Sequence, residues 1–387
     1  MTVPATPLVI TGIGVASALG LGRTAHWDAL VAGKSAITAW AQDPADPLPV
    51  HGGARLENFN VAPYLADRKM ARLLSRASAL GFAASHMALE DAHIDMSAIP
   101  GERRGLFCQT GMFQVESRDL APIVEHCCED GALSLARFGE KGMSVINPFL
   151  PIKTLPNMGL GALSIAFDMQ GPNLVAGPFA AQGAMLLGLA ASALVENEAD
   201  VCLVAGGDAP FNMMTLSSLL AMDVLDTREL PHLGLFDPAN AGLILGEGGV
   251  ALVIEREADA IARGATIYAR FAAWSMAGGD QVRHGAAASS AASEHVLADV
   301  GREADAVIVE GSGMPAVDRL EQALLAGHTY AGSKPQVGDW PGASTLLDVA
   351  HGALALHTGQ WLGGAKSVLV HGLDLSGTAS AVRLEAV

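Results

Sequence analysis

The chain has 387 residues, of which half are hydrophobic and 16% are charged, and it contains 44 glycines. This composition predicts a folded chain with a large core and many tight turns, and it excludes a disordered chain. The formal net charge of −17 argues against nucleic acid and anionic membranes as partners, because both attract clustered lysine and arginine.

Cysteine usage and the start of the chain bear on the compartment. Four cysteines in so long a chain are typical of a reducing environment. The residues after Met1 lack a basic segment followed by an apolar core, and no apolar run reaches bilayer-spanning length. We therefore expect a cytoplasmic protein without a signal peptide or membrane span. The run His126-Cys127-Cys128 lacks metal-site spacing, and we predict neither a metal nor a cofactor.

The first predicted element is a strand within residues 7–20, which ends in a glycine turn and leads to a helix through Leu30. Gly12 and Gly14 lie in this strand. The third glycine and the downstream acidic residue of a dinucleotide-binding motif are missing, so we do not predict nucleotide binding here.

A long helical region is predicted over residues 64–92. Its first turns carry four positive side chains, Arg68, Lys69, Arg72 and Arg76. A solvated helix face is the ordinary interpretation of such a run. In a chain this acidic, the same cluster is also a candidate surface for an acidic partner.

Residues 171–183 predict a strand, a tight turn of small residues and the start of a buried helix that continues to Val195. Helix N-terminal amides stabilise negative charge, so this turn is where an enzyme would place a nucleophile. The tip of the turn holds Ala180, without Cys, Ser or Lys.

Strands and helices alternate through the rest of the chain. The predicted strands lie at 104–111, 200–208, 250–254, 306–313, 367–371 and 381–384, and helices are expected around 156–169, 256–263 and 343–356. This alternation predicts an α/β fold, and no linker or low-complexity run divides the chain.

Seven short motifs follow one another along the chain, at residues 9–14, 156–158, 171–173, 205–209, 236–237, 246–248 and 262–265. Taken together in this order, they resemble the β-ketoacyl-acyl-carrier-protein (ACP) synthase family. The resemblance is nearly end to end. It implies the thiolase fold, with two similar βαβαβαββ halves in five α-β-α-β-α layers, dimerised through a sheet edge. We assign residues 1–250 to the N-terminal half and residues 251–387 to the C-terminal half.

The family's chemistry is decarboxylative condensation. A cysteine takes the acyl chain from a carrier protein, two histidines assist decarboxylation of the malonyl thioester, and backbone amides hold the oxyanion. Laid on this pattern, the nucleophile position is Ala180, and the two histidine positions are Glu310 and Ala343. The family's lysine falls at Gly338 and its gating phenylalanine at Leu375. The resemblance thus implies that all three catalytic groups are lost.

This pattern resembles one subgroup, the chain-length factors, or ketosynthase β-subunits, of type II polyketide systems. These subunits lack the catalytic cysteine and pair with an active ketosynthase. Many carry a glutamine at or near the lost cysteine, and Gln182 lies two positions after Ala180. A residual polar role for Gln182 is therefore implied.

A second stretch, residues 111–120, resembles the subgroup segment that walls the far end of the growing-chain tunnel at the dimer interface. A core or interface helix is the alternative interpretation of this stretch. The implied tunnel and length-control residues are Met112, Phe113, Glu116 and Leu120.

The primary hypothesis is a noncatalytic subunit that heterodimerises with an active β-ketoacyl-ACP synthase. It would shape the tunnel for an acyl or polyketide chain that an ACP carries on phosphopantetheine. The alternative is an enzyme in its own right, either a malonyl-ACP decarboxylase or a divergent synthase, which would need help from Gln182 or Glu310. A third hypothesis is a scaffold that only docks carrier proteins through the cations at 68–76. Aromatic polyketide and aryl polyene products fit the sequence equally.

Overall fold

A computed structural model describes residues 6–40, 48–229, 233–280, 282 and 289–387. The strands are β1 (Leu8–Ser17), β2 (Gly20–Leu21), β3 (Ile37–Ala39), β4 (Gly52–Ala54), β5 (Arg104–Thr110), β6 (Cys128–Glu129), β7 (Ala132–Leu133), β8 (Asn173–Ala176), β9 (Val201–Asp208), β10 (Gly248–Arg256), β11 (Ala269–Ala277), β12 (Ala306–Ile308), β13 (Thr329–Ala331), β14 (Ser367–Leu373) and β15 (Ala379–Glu385). The helices are α1 (Arg23–Val31), α2 (Arg76–Ala92), α3 (Ser117–Cys127), α4 (Leu135–Arg137), α5 (Met143–Val145), α6 (Leu150–Lys153), α7 (Met158–Phe167), α8 (Gln182–Val195), α9 (Met213–Ala221), α10 (Glu257–Ala262), α11 (Ala291–Val300), α12 (Pro315–Leu324), α13 (Lys334–Val337) and α14 (Ser344–Thr358).

Two five-stranded arrays share one topology. The first runs β8-β5-β9-β10-β1 and the second runs β13-β12-β14-β15-β11. In each array the first three strands are parallel to one another. The fourth strand is antiparallel to both of its neighbours, the third and the fifth. The arrays join where β1 pairs with β11 over three residue pairs, Leu8 to Phe271, Val9 to Arg270 and Ile10 to Ala269. The chain is therefore a structural repeat of two halves.

Helices form three layers around the two arrays. Helix α2 packs on the outer face of the first array, against β1, β9 and β10, and α11 packs on the second, against β11, β14 and β15. Helices α8 and α14 contact strands of both arrays and each other, so they form the middle layer. The expected five-layer α-β-α-β-α architecture is confirmed. Within the described residues, no helix has the length and apolarity needed to cross a membrane.

The glycines of β1 explain how closely α2 approaches the sheet. A Cβ atom at Gly12 would overlap the backbone oxygen of Ala88, and one at Gly14 would overlap that of Ala84. Both alanines lie on the buried face of α2. The Gly-Ile-Gly run therefore serves helix-to-sheet packing.

Two expectations need correction. The helical region predicted over 64–92 is divided, because Asp67 caps a 3₁₀ turn at Arg68–Arg72 and Ser75 caps a separate helix, α2. The expected division between residues 250 and 251 falls inside β10, which pairs with β1 and β9 of the first array. The first array instead ends with β10 at Arg256, and the second array begins with β11.

Candidate functional site

The turn between β8 and α8 carries Ala180, which is buried at its tip. The turn is braced from β5, where the buried Gln109 donates from Nε2 to the carbonyl oxygen of Phe179 at 2.7 Å. The sequence analysis did not identify Gln109. A polar residue inside a predicted buried strand indicates a side chain that needs a hydrogen-bond partner. Gln182 is the first residue of α8 and is half-buried.

Ala180 faces a small cavity. Its walls include Phe179, Glu310, Asp339, Asp374 and Leu375, and its volume is about 20 Å³. A space of this size holds roughly one water molecule. In this conformation it has no room for an acyl thioester.

A buried ion cluster contributes two carboxylates to the wall of this cavity. Lys334 Nζ contacts Glu310 Oε1 and lies 3.0 Å from Asp339 Oδ1, which also accepts a hydrogen bond from Ser344 Oγ at 2.9 Å. The three charged residues are each at most 5% exposed. One lysine is thus held between two carboxylates, and it offers no free positive charge to the cavity.

Ala343, the expected position of the second histidine, does not line this cavity. Ala343 is fully buried, and its Cβ lies 3.0 Å from where a Cβ of Gly206 would stand, so it packs into the core. The side chain that shares the cavity with Glu310 is Asp339, four residues earlier. Lys334 likewise lies four residues before Gly338, the expected lysine position, and it contacts both of these carboxylates.

The segment that closes the site follows β14. Asp374 is buried, and its Oδ2 accepts a hydrogen bond from the backbone N–H of Ala181 at 3.1 Å. Burial raises the pKa of this carboxyl above its usual value, although hydrogen bonds from Ser376 and Ala181 act in the opposite direction. Leu375, at the expected gate position, is buried and lines the cavity.

Asp208, at the end of β9, adds a further buried carboxyl near the site. Its Oδ2 accepts from Gly342 N–H at 2.6 Å. Burial, together with the neighbouring charges of Asp339 and Glu247, raises the pKa of Asp208 to about 7, although the hydrogen bond from Gly342 acts in the opposite direction. The cavity beside position 180 is thus lined by the carboxyl groups of Glu310, Asp339 and Asp374, and each of these opposes a developing negative charge when it is ionised.

The four implied tunnel residues do not converge on one cavity. Met112 packs against the apolar core of the second array, while Phe113 and Leu120 are half-buried. Glu116 caps α3 and pairs with Lys153 at 2.9 Å and with Arg118 at 2.6 Å. Of the four, Glu116 alone lines a cleft of about 520 Å³ between α2, α3 and the segment that precedes α9.

The four cations predicted for docking separate into two groups. Arg68, Lys69 and Arg72 are exposed on or beside the 3₁₀ turn, and none forms an ion pair with the described residues. Arg76 instead donates to both carboxylate oxygens of the buried Glu247 at 2.7 Å and to the carbonyl oxygen of Leu56. Arg76 is thus a brace inside the fold rather than a free surface charge.

The doubled arrays with two shared helices define an α/β thiolase fold. The chain is similar to the solved structure of the ishigamide ketosynthase/chain length factor, with a TM-score of 0.81 and 20% identity, over 99% of each chain. It is also similar to a type II polyketide synthase acyl-carrier protein complex with its ketosynthase bound to the hexaketide, with a TM-score of 0.74 and 16% identity, over 99% of this chain and 100% of that chain.

The family model "Beta-ketoacyl synthase, N-terminal domain" matches residues 5–260. The chain belongs to the β-ketoacyl synthase family. Among curated relatives, 3-oxoacyl-[acyl-carrier-protein] synthase 2 of Staphylococcus aureus (strain COL) is 28% identical over 273 residues, which are 70% of this chain. The match spans 63% of the length of that relative.

Proposed function

We propose that this chain is a noncatalytic subunit of the chain-length-factor type. It pairs in the cytoplasm with an active β-ketoacyl-ACP synthase and shapes the tunnel in which an ACP-borne acyl or polyketide chain is extended. The observation that carries the proposal is the set of side chains around the turn at position 180. Position 180 holds a methyl group. Glu310 and Asp339 line the same cavity, and both form ion pairs with Lys334.

The chemistry of these side chains supports a noncatalytic role. A methyl group cannot attack a thioester, and carboxylates beside the reaction centre oppose the enolate that decarboxylation forms. A malonyl-ACP decarboxylase is less well supported, because Glu310 is already bound to Lys334 and the adjacent space is about 20 Å³. The same limits apply to a divergent synthase that acts alone.

The edge of the first array supports pairing with a chain of similar fold. β8 is the edge strand of that array in the described part of the chain, and its Leu174 is 38% exposed. Unpaired strand edges and exposed apolar side chains are features of association surfaces. Further exposed apolar side chains before this strand are Phe149, Ile152, Leu155 and Ile165.

The carrier and tunnel roles belong to the same proposal. Arg68, Lys69 and Arg72 offer exposed positive charge to an acidic carrier protein. Phe113 and Leu120 contact the growing chain once the partner subunit completes the tunnel wall. Glu116 fixes the start of α3, while Met112 shapes the wall from the core side. An aryl polyene or aromatic polyketide is the proposed product class.

The test is reconstitution with the ketosynthase from the same organism that carries an intact cysteine and both histidines. The full chain, that ketosynthase and their mixture are each supplied with malonyl-ACP and an acyl-ACP primer. Complex formation is followed by size-exclusion chromatography with light scattering, and products by mass spectrometry. The matched controls are Ala180→Ser in this chain and cysteine-to-alanine in the partner.

We expect condensation only with the mixture, no effect of Ala180→Ser, and complete loss with the partner's cysteine removed. Condensation by this chain alone would refute the proposal. So would an unpaired ketosynthase that makes the same product at the same rate.

A further inference from the structure

Asp374 stands out because its carboxylate reaches the helix that carries position 180. Asp374 Oδ2 accepts from the N–H of Ala181, which is 193 residues away along the chain. Ala181 precedes the first residue of α8, a helix of 14 residues. The amide therefore belongs to the positive end of a long helix, where a negative charge is stabilised.

The second carboxylate oxygen holds the closing turn. Asp374 Oδ1 accepts from Ser376 N–H at 3.0 Å, from Ser376 Oγ at 2.6 Å and from Thr378 N–H at 3.3 Å. The side chain thus accepts hydrogen bonds from four donors, a pattern that suits an ionised carboxylate. One side chain ties the turn at 374–378 to the start of α8.

This contact changes what position 180 can accommodate. Asp374 and Ala180 line the same cavity of about 20 Å³. An anion at position 180, whether a thiolate or an acyl oxyanion, would meet a like charge and would compete for the same amide. The nearby Lys334 is already held by Glu310 and Asp339, so it does not compensate.

We propose that Asp374 is a built-in anionic occupant of the α8 N-terminus, which holds the closing turn shut and bars acyl groups from position 180. The inference rests on the proposed function and deepens it. The inactivity of the site is then a property of the closing turn as well as of Ala180.

The experiment introduces a thiol as a reporter of local charge. In the full chain, Ala180→Cys is compared with Ala180→Cys/Asp374→Asn, and thiolate formation is followed by ultraviolet absorbance against pH after subtraction of the wild-type titration. Burial raises the pKa of the native Cys108 and Cys202 thiols to about 12, so they stay protonated over most of the range. The matched control is Asp305→Asn, which removes a carboxylate that accepts two backbone N–H groups far from the site.

We expect the thiol of Ala180→Cys to titrate above the ordinary cysteine value of about 8.5. Asp374→Asn should lower that midpoint by at least about one pH unit, because it removes the like charge, whereas Asp305→Asn should leave it unchanged. A midpoint at or below the ordinary value in Ala180→Cys alone overturns the proposal, even if the double variant does not fold. An unchanged midpoint in a folded double variant also overturns it.

This measurement uses a single chain and no partner. Its failure would leave the proposed pairing with an active ketosynthase intact. A failure of that pairing would likewise leave the thiol titration interpretable.

Discussion

Arg76 and Glu247 form a two-bonded ion pair in which Arg76 Nε donates to Oε2 and Nη2 donates to Oε1, both at 2.7 Å. Arg76 begins α2, and Glu247 immediately precedes β10, so the pair fastens the outer helix to the first array. The hydrogen bonds with Glu247 raise the pKa of Arg76 despite its partial burial. The side chain of Glu247 is 1% exposed, so the positive charge of Arg76 stabilises its buried carboxylate.

Replacing Arg76 with alanine should lower the free energy of unfolding by about 3 kcal/mol, because it leaves a buried carboxylate unpaired. Urea denaturation of the purified chain measures this loss. The matched control is Arg72→Ala, whose exposed side chain should change stability by no more than about 0.5 kcal/mol. Equal effects of the two substitutions would contradict a bracing role for Arg76.

Lys334→Met should also destabilise the chain, by roughly 3–5 kcal/mol, since it leaves Glu310 and Asp339 buried without a counter-charge. Adding Glu310→Gln and Asp339→Asn to Lys334→Met removes both charges and should recover most of the loss. Denaturation of the single and triple variants measures the recovery. If the triple variant is no more stable than Lys334→Met, the three side chains do not act as one electrostatic unit.

A buried imidazole pair predicts acid sensitivity. His26 Nε2 lies 2.8 Å from His351 Nε2, and His26 Nδ1 lies 2.7 Å from Ser17 Oγ, while Asp348 is 3.6 Å from His351 Nδ1. Burial, followed by the proximity of His351, lowers the pKa of His26 well below 6.5. Below about pH 6.5, His26 is therefore protonated in the unfolded chain but stays neutral in the folded chain until the pH falls to its lowered pKa.

The contribution of His26 to stability is complete above its unfolded pKa of about 6.5 and is lost as pH falls below it, with a slope of at most about 1.4 kcal/mol per pH unit. We expect His26→Gln to reduce this slope. The matched control, His126→Gln, removes an exposed imidazole and should leave the slope unchanged. Urea denaturation at several pH values decides the matter, and a wild-type slope in His26→Gln would contradict the assignment.

Reversing the charge of Arg68 and Lys69 together, to glutamate, should weaken binding of the carrier protein to the two-subunit complex by roughly tenfold, and more so at low salt. Fluorescence anisotropy with a labelled carrier measures the affinity. The matched control reverses Arg302 and Lys366, which are exposed elsewhere and give the same change in net charge. Equal weakening by both pairs would indicate a general charge effect.

Phe113→Ala and Leu120→Ala should each lengthen the product, because a shorter side chain leaves more room for the growing chain. Product masses from the reconstituted complex provide the measurement. Ile261→Ala, which shortens an exposed apolar side chain on α10, serves as the control. Products of unchanged length from both tunnel variants would remove these residues from the tunnel wall.

Much of the fold was accessible from the sequence, because its main elements are strongly apolar and continuous. β9, β10, α8 and α14 lie close to their predicted positions, and the turn at Ala180 stands where the small-residue run placed it. The internal division was misplaced, because no change of composition marks the end of β10. Only the pairing of strands reveals it.

The site was less accessible, because its contacts join distant parts of the chain. The Lys334 and Asp339 positions were missed by a shift of four residues, and a run rich in glycine and proline gives little to fix the register. Arg76 looked like a surface cation because Glu247 is 171 residues away. Asp374 and Ala181 are 193 residues apart in the sequence, so no local sequence pattern indicates their hydrogen bond.

The middle layer also gives the turn at position 180 a structural importance that does not depend on catalysis. α8 carries the turn at position 180, but it also packs against strands of both arrays and against α14. A substitution on the packed face of α8 therefore disturbs contacts with both arrays and with α14. α8 therefore holds the two arrays together whatever side chain the turn before it carries.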